Sequence, residues 1–205
     1  RLFGLTETSE AERHLQFEHS LRLIQGAWRS HSTFLPAIAS DLPARCWVAV
    51  NSVGSARIAG AFGFNMLFSH LRMPGQYREY GEAYRDAGGR GLIAANRPVF
   101  VGPDDGTAFR IAEPALRMLW RRFQREGKIA ASHCEPTSVA DLCAHPINFI
   151  VGGPESVAEQ LLMLHEEVPF DVANVEVRWA GLTHDQVCDS LRRLKQDVMA
   201  RMRET

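Results

Sequence analysis

A run of small polar residues follows the first strongly apolar segment of the chain. The apolar segment is Cys46–Val50, and Asn51, Ser52, Gly54 and Ser55 lie in the five residues after it, where a helical pattern begins. Free backbone N–H groups and hydroxyls at a helix N-terminus attract anions, and phosphate in particular. The turn therefore predicts a phosphate-binding site. A cap on the helix, made by Ser52 or Ser55, is the alternative interpretation.

The cysteine and histidine residues show no standard metal-binding pattern. The four cysteines form no CxxC pair, which favours reduced thiols in a cytoplasmic protein. A zinc site built from His133, Cys134, Cys143 and His145 is the alternative, although its spacing matches no known structural site. No metal is therefore expected.

The composition excludes some classes of partner. The formal net charge is −1 and apolar residues make up 45% of the 205-residue chain, as in an ordinary globular protein. A chain with so little net charge has no general attraction to nucleic acid or to a membrane surface. It also lacks an apolar run of the roughly 18 residues that a bilayer span needs. We therefore expect neither nucleic acid nor a membrane as a partner.

The hydrophobic pattern predicts alternating strands and helices. Alternation of this kind is typical of parallel strands joined by right-handed crossovers. The expected strands are Cys46–Val50, Phe64–Phe68, Leu92–Val101 and Val172–Ala180, and the expected helices cover about 9–29, 53–62, 74–89, 104–126, 154–164 and 183–202.

Several details of these elements are also predicted. One apolar face is expected on the first helix, and Pro114 should kink or restart the fourth. Residues 30–44 are expected to form a loop and residues 127–146 an irregular insertion. Nothing divides the chain into domains, so residues 1–205 are predicted to form a single domain. The residues expected on the face of the first helix are Leu15, Leu21, Leu23, Ile24, Ala27 and Trp28.

Five segments, taken in order, resemble the bacterial luciferase-like flavin-dependent monooxygenases. WVAVNSVGSARIAGAFGFNMLFS is similar to the family's fifth strand, phosphate turn and sixth strand. ANRPVFVGPDDGTA, FIVGGPESVAEQLLML and VANVEVRWAGLTHDQVCDSLRRLKQDVMARM resemble its seventh strand, a later helix, and its eighth strand with the closing helix. RLFGLTETSEAERHLQFEHSLRLIQGAWRS resembles the helix before the fifth strand.

The resemblance implies an α/β fold that is only part of the family's barrel. The family forms a TIM-like (β/α)8 barrel, and this chain matches strands five to eight with their helices. Strands one to four have no counterpart. A half barrel would leave two open sheet edges, so we expect self-association into a homo-oligomer or membership of a longer chain.

The resemblance also implies a function and a set of site residues. It implies oxygenation of an organic small molecule with O2 and reduced FMN supplied by a separate flavin reductase. Asn51, Ser52, Gly54 and Ser55 would hold the FMN phosphate, and His70, directly after the sixth strand, would be the catalytic residue. Alternatives are F420-dependent hydride transfer and a truncated flavin-binding or interaction protein without turnover. Trp179, near the end of the eighth strand, would border the flavin, and a core position is its alternative. A surface position is the alternative for His70.

Overall fold

The structure is a computed structural model that describes residues 9–29, 42–71, 74–144, 147–168 and 170–204. Most of the predicted 30–44 loop, and His145 of the alternative zinc set, lie outside the described residues.

Helices and strands alternate along much of the described chain. The helices are α1 (Glu10–Arg29), α2 (Leu42–Arg45), α3 (Val53–Ala61), α4 (Pro74–Asp86), α5 (Asp105–Arg125), α6 (Val139–Cys143), α7 (Pro154–Glu167), α8 (His184–Arg193) and α9 (Met199–Glu204). A π-helical turn, Leu194–Val198, joins α8 to α9. The strands are β1 (Trp47–Val50), β2 (Asn65–Phe68), β3 (Ile93–Val101), β4 (Ile150–Gly152) and β5 (Val172–Glu176).

The chain divides into two compact units, and the division passes through β2 and α4. The first unit is Arg1–Met66 with Tyr80–Leu92, and the second is Leu67–Glu79 with Ile93–Thr205. No helix in the described ranges is long and apolar enough to cross a bilayer. The single domain over residues 1–205 stays a prediction.

The first unit is held together by buried side chains that bond to the backbone of neighbouring segments. The Asn65 side chain donates to the Ala44 carbonyl at 2.7 Å and accepts from the Leu92 N–H at 2.8 Å. The Tyr84 hydroxyl donates to the Phe64 carbonyl at 2.7 Å. Because a buried polar group without a partner costs free energy, these bonds specify one packing of the segments around β1 and β2.

Helix α1 buries only part of the predicted face. Leu15, Leu23 and Ile24 are exposed, and Leu21 is the buried residue of the helix. At 100° per residue the predicted positions are spread around the helix instead of along one side, so they could not all be buried. The true inner face has seven-residue spacing and runs from His14 through Leu21 to Trp28, whose ring packs edge-on against Phe64 at 6.0 Å.

The second unit has a parallel sheet with side chains buried on both faces. Strand β3 pairs in parallel with β4 and with β5. Phe100 and Val151 join one apolar cluster with α5, while Val99, Val101 and Ile150 join a second cluster with α7 and the C-terminal helices. Covering both faces of a parallel sheet is the usual arrangement of α/β proteins, and it confirms the predicted α/β class.

Other boundaries differ from the prediction for local reasons. Strand β4 is only three residues long and was not predicted as a strand. Strand β5 ends at Glu176, four residues before the predicted end at Ala180. Helix α5 continues through Pro114, and residues 127–146 contain the short helix α6. Side-chain caps fix the starts of two helices: Asp104 accepts from the Thr107 N–H before α5, and Thr183 forms a capping box with Gln186 before α8.

Candidate functional site

The turn after β1 is a complete capping box at the start of α3. Ser52 Oγ accepts from the Ser55 N–H at 3.2 Å, and Ser55 Oγ accepts from the Ser52 N–H at 3.2 Å. Ser55 Oγ is also 3.3 Å from the Asn51 N–H, while the Asn51 carbonyl accepts from the Tyr80 hydroxyl at 3.0 Å. The helix-cap interpretation of both serines is therefore correct, and a role in phosphate binding would come in addition to it.

The same turn leaves two backbone donors open. Within the described residues, the N–H groups of Val53 and Gly54 have no hydrogen-bond partner. They lie in the first turn of α3, where the helix dipole also favours a negative charge. The Ser55 hydroxyl already donates to the Ser52 carbonyl at 2.9 Å. Two free amides beside the Ser52 hydroxyl are still a donor set that suits a phosphate group, so the residues present fit the phosphate end of a flavin cofactor. Arg57, one turn further on, is exposed.

His14 lies against this turn, and the sequence analysis did not anticipate it. Its Nε2 is 3.2 Å from Ser52 Oγ and 3.9 Å from a carboxylate oxygen of Glu10. A Cβ atom added to Gly54 would lie 2.7 Å from His14 Nδ1, so a side chain at position 54 would collide with the imidazole. Glycine at position 54 is thus explained by the packing of His14. The signal that could have identified His14 is its position seven residues before Leu21, on the inner face of α1.

His70 lies in the second unit, directly after β2, in apolar surroundings. Its ring meets Phe149 edge-on at 5.7 Å, and Phe149 in turn meets Trp179 at 4.8 Å. His70 Nε2 is buried and has no hydrogen-bond partner in the described part of the chain. Burial, followed by the nearby charges of Arg97 and Lys128, lowers the pKa of His70 to about 4. The imidazole is therefore neutral at pH 7, and one of its nitrogens lacks a hydrogen-bond partner among the described residues.

Trp179 belongs to the core of the second unit, which agrees with the alternative that the sequence analysis left open. It is buried among the residues that pack against α5, and its Nε1 has no hydrogen-bond partner in the described ranges. Two buried polar atoms without partners, Trp179 Nε1 and His70 Nε2, thus flank the Phe149 ring. Unsatisfied buried atoms of this kind are rare in folded proteins, and they mark this cluster for a functional test.

Three members of the alternative zinc set, His133, Cys134 and Cys143, lie among the described residues, and with His145 outside them this alternative stays a hypothesis. Within the described residues, no group of three or more His, Cys, Asp or Glu side chains could hold a metal ion. Burial raises the pKa of the Cys143 thiol to about 12, which keeps it protonated and unreactive. Cys134 is exposed.

Comparison with known proteins shows similarity at the level of structure. No protein-family model and no curated protein sequence matches the chain. Among solved structures, apo-MsnO8 superposes with a TM-score of 0.63 at 20% identity, covering 96% of this chain and 62% of MsnO8. The oxygenating constituent of 3,6-diketocamphane monooxygenase from Pseudomonas putida, in complex with FMN, gives a TM-score of 0.50 at 23% identity and covers 76% of this chain and 48% of that enzyme.

A coenzyme F420-dependent tetrahydromethanopterin reductase from Methanopyrus kandleri is similar as well. It gives a TM-score of 0.52 at 13% identity and covers 76% of this chain and 50% of the reductase. The chain therefore spans 48–62% of the length of these three proteins. At these identities the comparison establishes the fold. The resemblance predicted from the sequence is confirmed at that level: the chain has the α/β fold of the luciferase-like flavin monooxygenases.

Proposed function

We propose that this chain is part of an FMN-dependent monooxygenase that oxygenates an organic small molecule with reduced flavin and O2. The observation that carries the proposal is the donor set at the start of α3, the free N–H groups of Val53 and Gly54 beside the hydroxyl of Ser52. It occurs at the turn after a strand, in a fold shared with an FMN-bound monooxygenase. Phosphate held at such a helix end is a recurrent way of anchoring a nucleotide cofactor.

Within this proposal the predicted site residues have different roles. Asn51, Ser52, Gly54 and Ser55 form the turn that holds the cofactor's phosphate. Gly54 donates its free N–H and Ser52 its hydroxyl, while the N–H groups of Asn51, Ser52 and Ser55 maintain the capping box. His70, neutral at pH 7, offers one ring nitrogen for a hydrogen bond to the substrate or the flavin. Reduced flavin, when bound, supplies the electrons for oxygenation, and the protein's task is to orient the reactants and exclude water.

We also propose that the four strands expected from the sequence, which are β1, β2, β3 and β5 of the structure, are strands five to eight of a TIM-like barrel, and that the three-residue β4 is an additional strand beside β3. Four of the five residues of β5 are exposed, which suits a strand that further barrel elements would cover. A homo-oligomer, a partner flavin reductase and a cytoplasmic location belong to the same proposal. Sedimentation of the whole protein tests the oligomer, and a monomer at micromolar concentration would contradict it.

An F420-dependent oxidoreductase is the alternative that one structural neighbour raises. The phosphate turn does not separate the two cofactors, because both present a phosphate group. Titrating the flavin-free protein with FMN and with F420 in parallel distinguishes them, since the tighter ligand identifies the cofactor. Binding of either one without turnover would favour the third reading, a truncated flavin-binding protein.

The phosphate assignment is tested by substituting both serines of the turn. Ser52→Ala combined with Ser55→Ala should weaken FMN binding by about 1–3 kcal/mol, because hydrogen bonds to a charged group are lost. Binding is measured by the quenching of FMN fluorescence during titration.

Thr183→Ala is the matched control. Thr183 forms the same kind of capping box at the start of α8, so its loss should cost a similar amount of stability, about 1 kcal/mol per cap, without affecting FMN. Unchanged FMN affinity in the double serine variant, or equal weakening in the control, would overturn the assignment.

A further inference from the structure

Arg97 is a buried cation without a matching anion. The residue is 5% exposed, and its Nη1 donates to the Tyr77 hydroxyl at 3.2 Å and to the Asn96 carbonyl at 2.8 Å. In the described part of the chain it makes no ion pair with a carboxylate, and its other guanidinium nitrogens make no hydrogen bond. A buried charge with neither a counter-ion nor a full set of hydrogen bonds is unfavourable, and proteins rarely retain one without a use.

The contact with Tyr77 offsets only part of the free-energy cost of burying the Arg97 charge. The guanidinium carbon lies 4.9 Å from the centre of the Tyr77 ring, a cation–π distance. The same tyrosine hydroxyl donates onward to the Ser69 carbonyl at 2.6 Å. Both contacts fix the position of the guanidinium, yet neither supplies negative charge. Arg97 is thus oriented in advance and still lacks an anion.

Arg97 borders a cavity of about 350 Å³, large enough for a small organic molecule. Beyond the guanidinium, the polar groups of the lining include the Asn148 and Gln160 amides, while Cys143, Phe149 and Leu164 contribute apolar surface. We propose that this cavity binds an organic monocarboxylate, with the carboxylate on Arg97 and the apolar body against the apolar lining.

The charges around the cavity favour one negative charge over two. Glu167 also lines the cavity and is exposed at its edge, so a phosphate dianion would meet one cation and one opposing carboxylate. A monocarboxylate matches the planar fork of a guanidinium and carries a single charge. The mostly apolar lining then favours a hydrocarbon or aryl body over a polar one.

The backbone at the edge of the cavity supplies an independent observation. Asn148 has a φ of 54°, and it is the non-glycine residue with positive φ among those described. Its side chain donates to the His70 carbonyl at 2.6 Å, which holds the strained residue in place. Strained backbone tends to occur at binding and catalytic sites.

The proposed carboxylate site goes beyond the proposed flavin function and does not depend on that function.

The test is calorimetric titration of the flavin-free protein with octanoate and, in parallel, with 1-octanol. We expect octanoate to bind and 1-octanol to bind at least tenfold more weakly, since only octanoate can pair with Arg97. Arg97→Met should lower octanoate affinity at least tenfold. Glu167→Gln should raise it two- to threefold by removing the opposing charge.

Arg125→Met is the matched control, because Arg125 is an exposed arginine of α5 and should have no effect. Circular dichroism checks that each variant is folded. If Arg97→Met fails to fold, Arg97→Lys replaces it and should weaken octanoate severalfold, because the charge stays and the planar fork is lost. Absence of octanoate binding to the wild type, equal binding of 1-octanol, or unchanged affinity in the Arg97 variant would each overturn the proposal.

Discussion

Two polar sites follow two successive strands of this chain, and they differ in how their polar atoms are satisfied. At the turn after β1, Ser52 and Ser55 bond to each other's backbone N–H groups, and His14 lies against them. After β2, His70 is packed against an aromatic ring, and its Nε2 has no partner in the described residues. At the first site most polar atoms bond to residues of the turn itself, whereas at the second site His70 Nε2 lacks a hydrogen-bond partner in the part of the chain that the structure describes.

This difference determines how strongly the geometry of each site supports the binding of a ligand. A capping box is sufficient to explain two serines at a helix start, so those hydroxyls alone are weak support for a phosphate. The support comes from the two N–H groups left open at Val53 and Gly54. A buried imidazole nitrogen without a partner has no such structural explanation, and its cost must be offset elsewhere. His70 therefore deserves the more demanding tests.

The largest expected effect is on turnover in the whole protein. His70→Ala should lower the rate of substrate oxygenation about a hundredfold, the lower end of what a positioned proton donor or acceptor contributes. FMN affinity should change little, because the phosphate donors are other residues. Steady-state kinetics together with FMN titration measures both quantities. Wild-type turnover would assign His70 a packing role alone, and a parallel loss of FMN affinity would show that it acts through cofactor binding.

The next largest effect concerns stability as a function of pH. The pKa of His70 is about 4 in the folded protein and about 6.5 when unfolded, so the unfolded chain binds the proton more readily between these values. The stabilising contribution of neutral His70 is therefore complete above pH 6.5 and is lost as the pH falls towards 4. The shift corresponds to about 3 kcal/mol at most, and we expect about 2 kcal/mol because the ring retains some contact with solvent.

Urea unfolding at pH 7, 6, 5 and 4 measures this contribution as a difference between the wild type and His70→Phe. The phenyl ring keeps the aromatic contact and cannot titrate, so the variant should lose less stability than the wild type on acidification. His19→Gln, at an exposed position of α1, controls for loss of a histidine. Parallel pH profiles for the wild type and His70→Phe would show that the His70 imidazole is not held neutral by its surroundings.

What the sequence predicts well in this protein is local. The helix caps at Ser9, Asp104 and Thr183 depend on residues three positions apart, and each is present in the structure. The turn at residues 51–55 is equally local, so its cap and its place after a strand could be predicted. The three-residue strand β4 could not, because its periodicity is too short to distinguish it from a loop.

What the sequence does not predict depends on distant contacts. His14 is 38 residues from Ser52 in the chain, and its place against the turn follows from the packing of α1. The burial of His70 depends on Phe149, and the hydrogen bond to its carbonyl comes from Asn148, 78 residues away. Neither relation leaves a periodic signal in the sequence. The site residues could be proposed one by one, but the partners that decide their chemistry required the structure.

The smallest expected effect tests whether His14 and Gly54 form one unit at the α3 turn. Gly54→Ala should destabilise the wild type by about 0.5–1 kcal/mol, because the new methyl group displaces the His14 ring from Ser52. In a His14→Ala background the collision is absent, so the same change should be neutral or stabilising, since alanine is favoured over glycine in a helix. The expected coupling between the two positions is about 1 kcal/mol.

Gly26→Ala is the control, because a methyl group at this position of α1 meets nothing within 4 Å. It supplies the contact-free reference for a glycine in a helix. Additive effects at positions 14 and 54, measured by urea unfolding, would mean that His14 does not pack on the turn in solution.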